Sequence, residues 1–271
     1  MLGIFDSGVG GLSVLRHIRA QLPHADILYF ADTAHVPYGS RPLAEVRAFA
    51  EAITRFLRAQ GAQVIVVACN TASAAALKHL RATFPETPFV GMEPAVKPAA
   101  EQTRTGVVGV LATPATFQGE LFNSVVERFA NGVTVLPQVC PGLVQQIEAG
   151  RLDTPDTEAM LRGWVEPLLT QNIDTLVLGC THYPFVIPLL EKICGPGVRL
   201  IDPAPAVARQ TARVAGERLQ VAEGKGRVVY FTSGEVAEFE RALERLGIER
   251  GEVCAVTWSG TTLRLARAPR L

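Results

Sequence analysis

The chain has 271 residues, 48% of them hydrophobic, and its 26 basic and 26 acidic side chains balance to a formal charge of zero. That length allows one large or two medium domains and ample core, while the balance argues against nucleic acid or an anionic membrane as the main partner. No apolar run reaches the ~20 residues of a membrane-spanning helix, the start MLGIFDSGVGG lacks the regions of a signal peptide, and five cysteines read as free thiols, which together predict a cytoplasmic protein.

In chain order, LGIF (2–5), DILYF (26–30), QVIVVA (63–68) and TPFVGM (87–92) are predicted strands. A helix is expected over 12–20. The clearest helical pattern is 42–60, with Val46, Phe49, Ala50, Ile53, Phe56 and Leu57 on one face and Gly61 as its stop. A second series of strands follows at 106–112, 133–137, 174–179 and 198–202, and two late strands at 226–232 and 252–257 bracket a helix near 235–246. Near-continuous apolar strands are buried on both faces, as in parallel α/β sheets. The reading is two α/β domains, with a boundary near the Pro/Ala/Glu-rich stretch 93–104. Residues 1–94 plus 206–271 are expected to form the first domain and 95–205 the second.

Ligands of such sheets bind beyond the carboxyl ends of the strands. Four strand ends carry small polar or reactive groups: Asp6-Ser7-Gly8, Cys69-Asn70-Thr71, Thr113-Pro114-Ala115-Thr116 and Cys180-Thr181-His182. VVACNT matches VLGCTH, and IFDSG matches VLATP at a similar separation, which suggests an internal duplication. Two like domains facing across a cleft would place one cysteine on each wall. Two thiols on opposite faces of a bound molecule suit inversion of a carbon centre, one removing a proton and the other returning one. Each cysteine alone also reads as a small buried hydrophobe, the assignment made for Cys140, Cys194 and Cys254. A zinc site of Cys69, Cys180 and His182 lacks a paired-ligand motif to preform it, so no metal is expected. GVGG is not a dinucleotide fingerprint, because Ser13 stands at the third glycine's place. Its amides are instead expected to bind a substrate carboxylate. No lysine stands at these strand ends to form an imine, so no cofactor is expected.

DSGVGG at 6–11, PYG at 37–39, CNTAS at 69–73 and GCTHYP at 179–184 resemble, in this order, the motifs of the glutamate racemases, over about residues 3 to 205. The resemblance implies two similar parallel-sheet α/β domains related by a pseudo-two-fold axis, with the active site in the cleft between them, and a homodimer. It implies cofactor-independent interconversion of L- and D-glutamate, supplying D-glutamate for peptidoglycan. Carried over by motif, Cys69 would deprotonate D-glutamate and Cys180 L-glutamate. Asp6 would assist Cys69, and His182 with Glu148 would assist Cys180. Asp6, Ser7, Pro37, Tyr38, Gly39, Asn70, Thr71, Thr113, Thr116, Thr181 and His182 would bind substrate. The sequence departs from the family at His35, where an arginine is usual. Taken without the resemblance, Asp6 also reads as a turn residue, Tyr38 as a packing aromatic, Glu148 as part of a solvated helix face opened by Pro141, and the threonines as helix caps. The other readings are an aspartate racemase, a thiol-nucleophile amidohydrolase needing one cysteine and a histidine, and a two-lobed amino-acid binding protein.

Overall fold

Short apolar segments alternate with amphipathic helices along the chain and assemble into two sheets. A computed structural model describes residues 1–216, 218–219 and 224–266. The strands are β1 (Leu2–Asp6), β2 (Ile27–Ala31), β3 (Val64–Val67), β4 (Phe89–Gly91), β5 (Val107–Ala112), β6 (Thr134–Val139), β7 (Thr175–Gly179), β8 (Arg199–Ile201), β9 (Val228–Thr232), β10 (Glu252–Ser259) and β11 (Thr262–Leu265). The helices are α1 (Leu12–Gln21), α2 (Leu43–Ala59), α3 (Asn70–Thr83), α4 (Val96–Gln102), α5 (Pro114–Gln118), α6 (Glu120–Phe129), α7 (Leu143–Glu148), α8 (Pro155–Leu169), α9 (Ile187–Cys194), α10 (Ala204–Gly216) and α11 (Val236–Arg245).

One sheet runs β11-β10-β9-β2-β1-β3-β4 and the other β6-β5-β7-β8. Every pairing is parallel except β10 with β11. The order β2-β1-β3-β4 recurs as β6-β5-β7-β8, so the duplication expected from the cysteine and polar strand ends is present as topology. It makes β3 and β7, the strands that precede Cys69 and Cys180, equivalent. Strands β9–β11 extend the first sheet and, among the described residues, have no counterpart in the second.

Alternation along each strand divides the cores. Leu2, Ile4, Val64 and Val66 pack with α1, α10 and α11, while Phe5, Ile65 and Val67 pack with α2 and α3 on the other face. In the second sheet Leu111, Leu176 and Leu178 face α8 and α9, and Val108, Val110 and Val177 face α4 and α6. Fully burying such a side chain stabilises by about 1.5–3 kcal/mol, so the faces of both sheets are committed to packing on helices, while the strand ends stay open to a ligand.

The structure differs from the sequence reading at several points. Strand β11 was not expected, because its alternating polar residues lack an apolar run; it pairs as a hairpin on β10. Pro141 does not open a helix. Helix α7 begins at Leu143, after Gly142 takes a left-handed turn at φ 84°. The predicted helix 42–60 is α2, with Gly61 left-handed just past its end. Phe49, expected on its core face, is only half-buried and stacks on His35 and Tyr38. Among the described residues no helix is long and apolar enough to cross a membrane.

Candidate active site

The carboxyl ends of β1, β3, β5 and β7 meet in one narrow cleft. Ser7, Pro37, Tyr38, Gly39, Cys69, Asn70, Thr71, Thr113, Cys180, Thr181 and His182 line it, together with Val144 from α7. Thr116 stands behind this wall and reaches it through hydroxyl contacts. The two thiols thus come from equivalent strand ends of the two sheets into a shared space.

On one side, β3 ends and Cys69 caps the N-terminus of α3, its sulfur accepting the Ala72 amide at 3.5 Å. Burial, and then the neighbouring Asp6 carboxylate, push the Cys69 thiol well above its ordinary pKa, against the amide, which lowers it. The resting group is therefore a thiol. Asp6 is fully buried at the end of β1. Its Oδ2 accepts the amides of Gly8 (3.2 Å) and Gly11 (3.0 Å), and its Oδ1 accepts the Thr181 hydroxyl at 3.4 Å from the other sheet.

On the other side, Cys180 follows β7 and its sulfur lies 3.8 Å from His182 Nδ1. His182 Nε2 lies 2.6 Å from Glu148 Oε1, which also accepts the Val9 amide at 2.9 Å. Burial lowers the His182 pKa, but the bonds to Cys180 and Glu148 outweigh it and hold the ring protonated well above its usual value. A protonated ring donates from both nitrogens, to the carboxylate and to the sulfur. Glu148 is thus a partly buried partner of His182, with a side chain 17% exposed, and not part of a solvated face.

This arrangement corrects one expectation. The amides of Gly8, Val9 and Gly11 do not await a substrate carboxylate; Asp6 and Glu148 already take them. The glycines serve close approach instead. A Cβ on Gly8 would strike the Glu148 carboxylate, and one on Gly10 would strike the His182 ring. The loop must be bare for the second sheet's acid and imidazole to close over it.

The free polar groups lie elsewhere. Both side-chain polar atoms of Asn70 are buried without a partner among the described residues, an arrangement that a ligand's own polar groups would relieve. Thr71, Thr113 and Thr116 join hydroxyls at 2.9–3.3 Å; Thr113 also caps α5, so the capping and lining roles coincide. Tyr38 is buried with its hydroxyl on Asp32 at 2.6 Å, and a Cβ on Gly39 would come within 2.5 Å of Thr113, so the 37–39 turn seals the two sheets together. Ser73, which crowds the same strand end as Cys69, is structural: its Oγ bonds the Val67 carbonyl and the Met92 amide. His35, in the place where arginine is usual, lies 2.9 Å from Asp32 Oδ2 and stacks on Phe49.

Three residues of the site were not singled out from the sequence. Ser13 donates to the Gly10 and Thr181 carbonyls, tying the glycine-rich loop across the cleft. Val144 supplies an apolar wall. Asp32 anchors Tyr38, and its only sequence signal was its place at the end of the second strand. Cys140 and Cys254 are buried in the cores and Cys194 is half-buried against one, as expected. Among the described residues no group of three acidic, histidine or cysteine side chains is placed to hold a metal.

Comparison with known proteins bears on this geometry. The profile of the Asp/Glu/Hydantoin racemase family matches residues 11–211. A glutamate racemase of Roseiflexus sp. (strain RS-1) is 52% identical over 261 residues, covering 94% of this chain and 96% of that protein. Among solved structures, glutamate racemase isoform RacE1 of Bacillus anthracis superposes with a TM-score of 0.86 at 31% identity, covering 97% of this chain and 98% of that one. The Thermus thermophilus glutamate racemase in complex with beta-chloro-D-alanine gives 0.82 at 39% identity, covering 94% and 96%.

Proposed function

The chain belongs to the Asp/Glu/Hydantoin racemase family and is an isomerase of the glutamate racemase type, and from this premise we propose that it interconverts L- and D-glutamate by moving a proton between two thiols across the cleft, without a cofactor. The observation that carries the reading is the placement of Cys69 and Cys180 at equivalent strand ends, facing one cavity, each beside its own acid group.

The chemistry follows from the asymmetry of the two sides. With L-glutamate bound, the Cys180 sulfur, beside protonated His182, takes the Cα proton and leaves its electron pair on Cα. The Cys69 thiol then gives its proton to the opposite face, yielding D-glutamate. Cys180 is left as a thiol and Cys69 as a thiolate, and a proton passing back through solvent resets the pair. In the other direction the same path runs backward from the form that turnover leaves: the deprotonated Cys69 sulfur, assisted by Asp6, takes the Cα proton of D-glutamate, and the Cys180 thiol gives its proton to the opposite face, which leaves Cys69 as a thiol and the Cys180 sulfur beside protonated His182, itself held by Glu148. Asn70, with its unpaired amide, and the Thr71, Thr113 and Thr181 hydroxyls hold the substrate's charged ends, while Ser7, Pro37, Tyr38 and Gly39 close the wall; Thr116 orients the threonine cluster from behind.

On the same proposal the D-glutamate serves peptidoglycan synthesis, and the enzyme works in the cytoplasm as a homodimer. It also divides the domains at 94/95 and 205/206, a division supported by α4 packing on the second sheet and α10 on the first. A Cys180–His182–Glu148 line also suits a thiol nucleophile, but that chemistry leaves Cys69 and Asp6 without a task.

The deciding experiment is exchange in deuterated water. The purified protein is incubated separately with L-glutamate, D-glutamate and L-aspartate, with reductant and no cofactor, while optical rotation and α-deuterium are followed. Decay of rotation with deuterium uptake for glutamate alone is expected. Exchange with aspartate instead would move the activity to the aspartate branch, and no exchange with any of them would overturn the reading.

A further inference from the structure

Asp32 stands outside the cleft wall, fully buried at the end of β2, yet four donors from three segments converge on its carboxylate. Tyr38 Oη lies 2.6 Å and His35 Nδ1 2.9 Å from Oδ2, while Ser233 Oγ and Trp258 Nε1 each lie 2.7 Å from Oδ1. Its ion-pair partner among the described residues is His35 alone. A buried carboxylate lacking a strong countercharge depends on each of its donors. His35 Nδ1 spans both oxygens, lying 3.1 Å from Oδ1 as well, while Tyr38, of the turn that walls the cleft, meets Oδ2 alone, and Ser233 and Trp258, from the loop after β9 and strand β10, meet Oδ1. Those strands belong to the extension that the second sheet lacks.

We propose that Trp258 is a positioning residue for the substrate loop, acting through Asp32 on Tyr38, and that this is what the β9–β11 extension contributes to the reaction. The indole N–H and the Ser233 hydroxyl set the carboxylate plane. The other oxygen then sets the Tyr38 hydroxyl, and Tyr38 with Gly39 presses the 37–39 turn against Thr113 of the other sheet. A second path runs in parallel: the Trp258 ring packs on His35 (5.0 Å) and Phe49 (5.4 Å), and Phe49 stacks on Tyr38 (5.7 Å). Trp258→Phe therefore removes the donor while retaining an aromatic ring.

The inference rests on the proposed reaction for its kinetic arm, so the test has an arm that does not. Wild type, W258F, S233A, Y38F and the W258F/Y38F double variant are compared for melting temperature, glutamate racemisation and amide hydrogen exchange. W258F is expected to raise KM about ten-fold, the scale of one bond to a charged acceptor, with a smaller change in kcat. It is also expected to speed exchange in peptides covering residues 36–41 without speeding it in β1 or β3. In the Y38F background W258F should add little, because the relay is already cut. S233A, which touches the same oxygen and leaves the indole in place, should give the same pattern more weakly, and serves if W258F does not fold. Equal factors in both backgrounds, or unchanged 36–41 exchange in both W258F and S233A, overturn the proposal. A wild type inactive on glutamate but with the exchange pattern intact would sink the reaction and keep the relay.

Discussion

Replacing Glu148 with glutamine tests the acid pair behind Cys180 at a single charge. Oε1 of Glu148 accepts from His182 Nε2 at 2.6 Å and from the Val9 amide at 2.9 Å. Glutamine keeps the shape and one acceptor but loses the charge. A bond to a charged group contributes about 1.5–3 kcal/mol net and a neutral one about 0.5–1.5, so the loss is about 1–1.5 kcal/mol, or roughly ten-fold in kcat/KM. The two enantiomers have equal free energy, so kcat/KM must fall by the same factor in both directions. The sign with pH follows from the raised His182 pKa. Glu148 helps keep the ring protonated, so in Glu148→Gln the alkaline limb of the rate profile moves to lower pH and activity is best recovered in acid. The stability that this proton contributes is complete below the unfolded value near 6.5 and is lost as pH rises through the higher folded value, so the variant's stability deficit should shrink in base. Circular dichroism of glutamate at a series of pH values, with thermal melts alongside, reads both. An alkaline limb that stays in place would refute the reasoning that Glu148 acts through the charge on His182.

The remaining predictions address other parts of the site. Cys69→Ala and Cys180→Ala should each abolish racemisation with the melting temperature little changed; either variant racemising at the full rate would end the two-thiol account. Asn70→Ala should raise KM while leaving stability unchanged or slightly higher, because both polar atoms of that amide are already unpaired; a melting temperature falling as for a paired buried amide would mean the amide is satisfied in solution. At the far end of the second sheet, hydroxyls of Thr103 and Thr175 and amides of Arg104 and Thr105 overcome burial and bring Asp174 down to about 2. Asp174→Asn should cost about 1–2 kcal/mol at neutral pH, measured by urea denaturation. Because the folded pKa is depressed, that difference should vanish as pH falls from about 4 toward about 2.

Much of the fold lies in local pattern. The strands of both halves were legible because parallel strands buried on both faces are continuous apolar runs, and α2 because its apolar face repeats with the helical turn. β11 was not, since an edge hairpin half in solvent needs no such run. Phe49 belonged to the helical face by spacing, but the neighbouring turn drew it out to stack on His35. The same division holds in the site. Cys69 and Cys180 were legible because a reactive side chain ending an apolar strand recurs with similar neighbours.

The sequence by itself determined which groups stand at the strand ends, since a strand's direction and length follow from its own residues. It determined too that the glycine-rich segment must turn sharply. Only the tertiary structure decided what each group faces. The amides of Gly8, Val9 and Gly11 meet Asp6 and Glu148; Glu148 meets His182; and Trp258, far along the chain, meets Asp32. Those pairings depend on how two sheets and an extension pack at close range, and packing at that distance is a property of the whole chain, which no local stretch encodes.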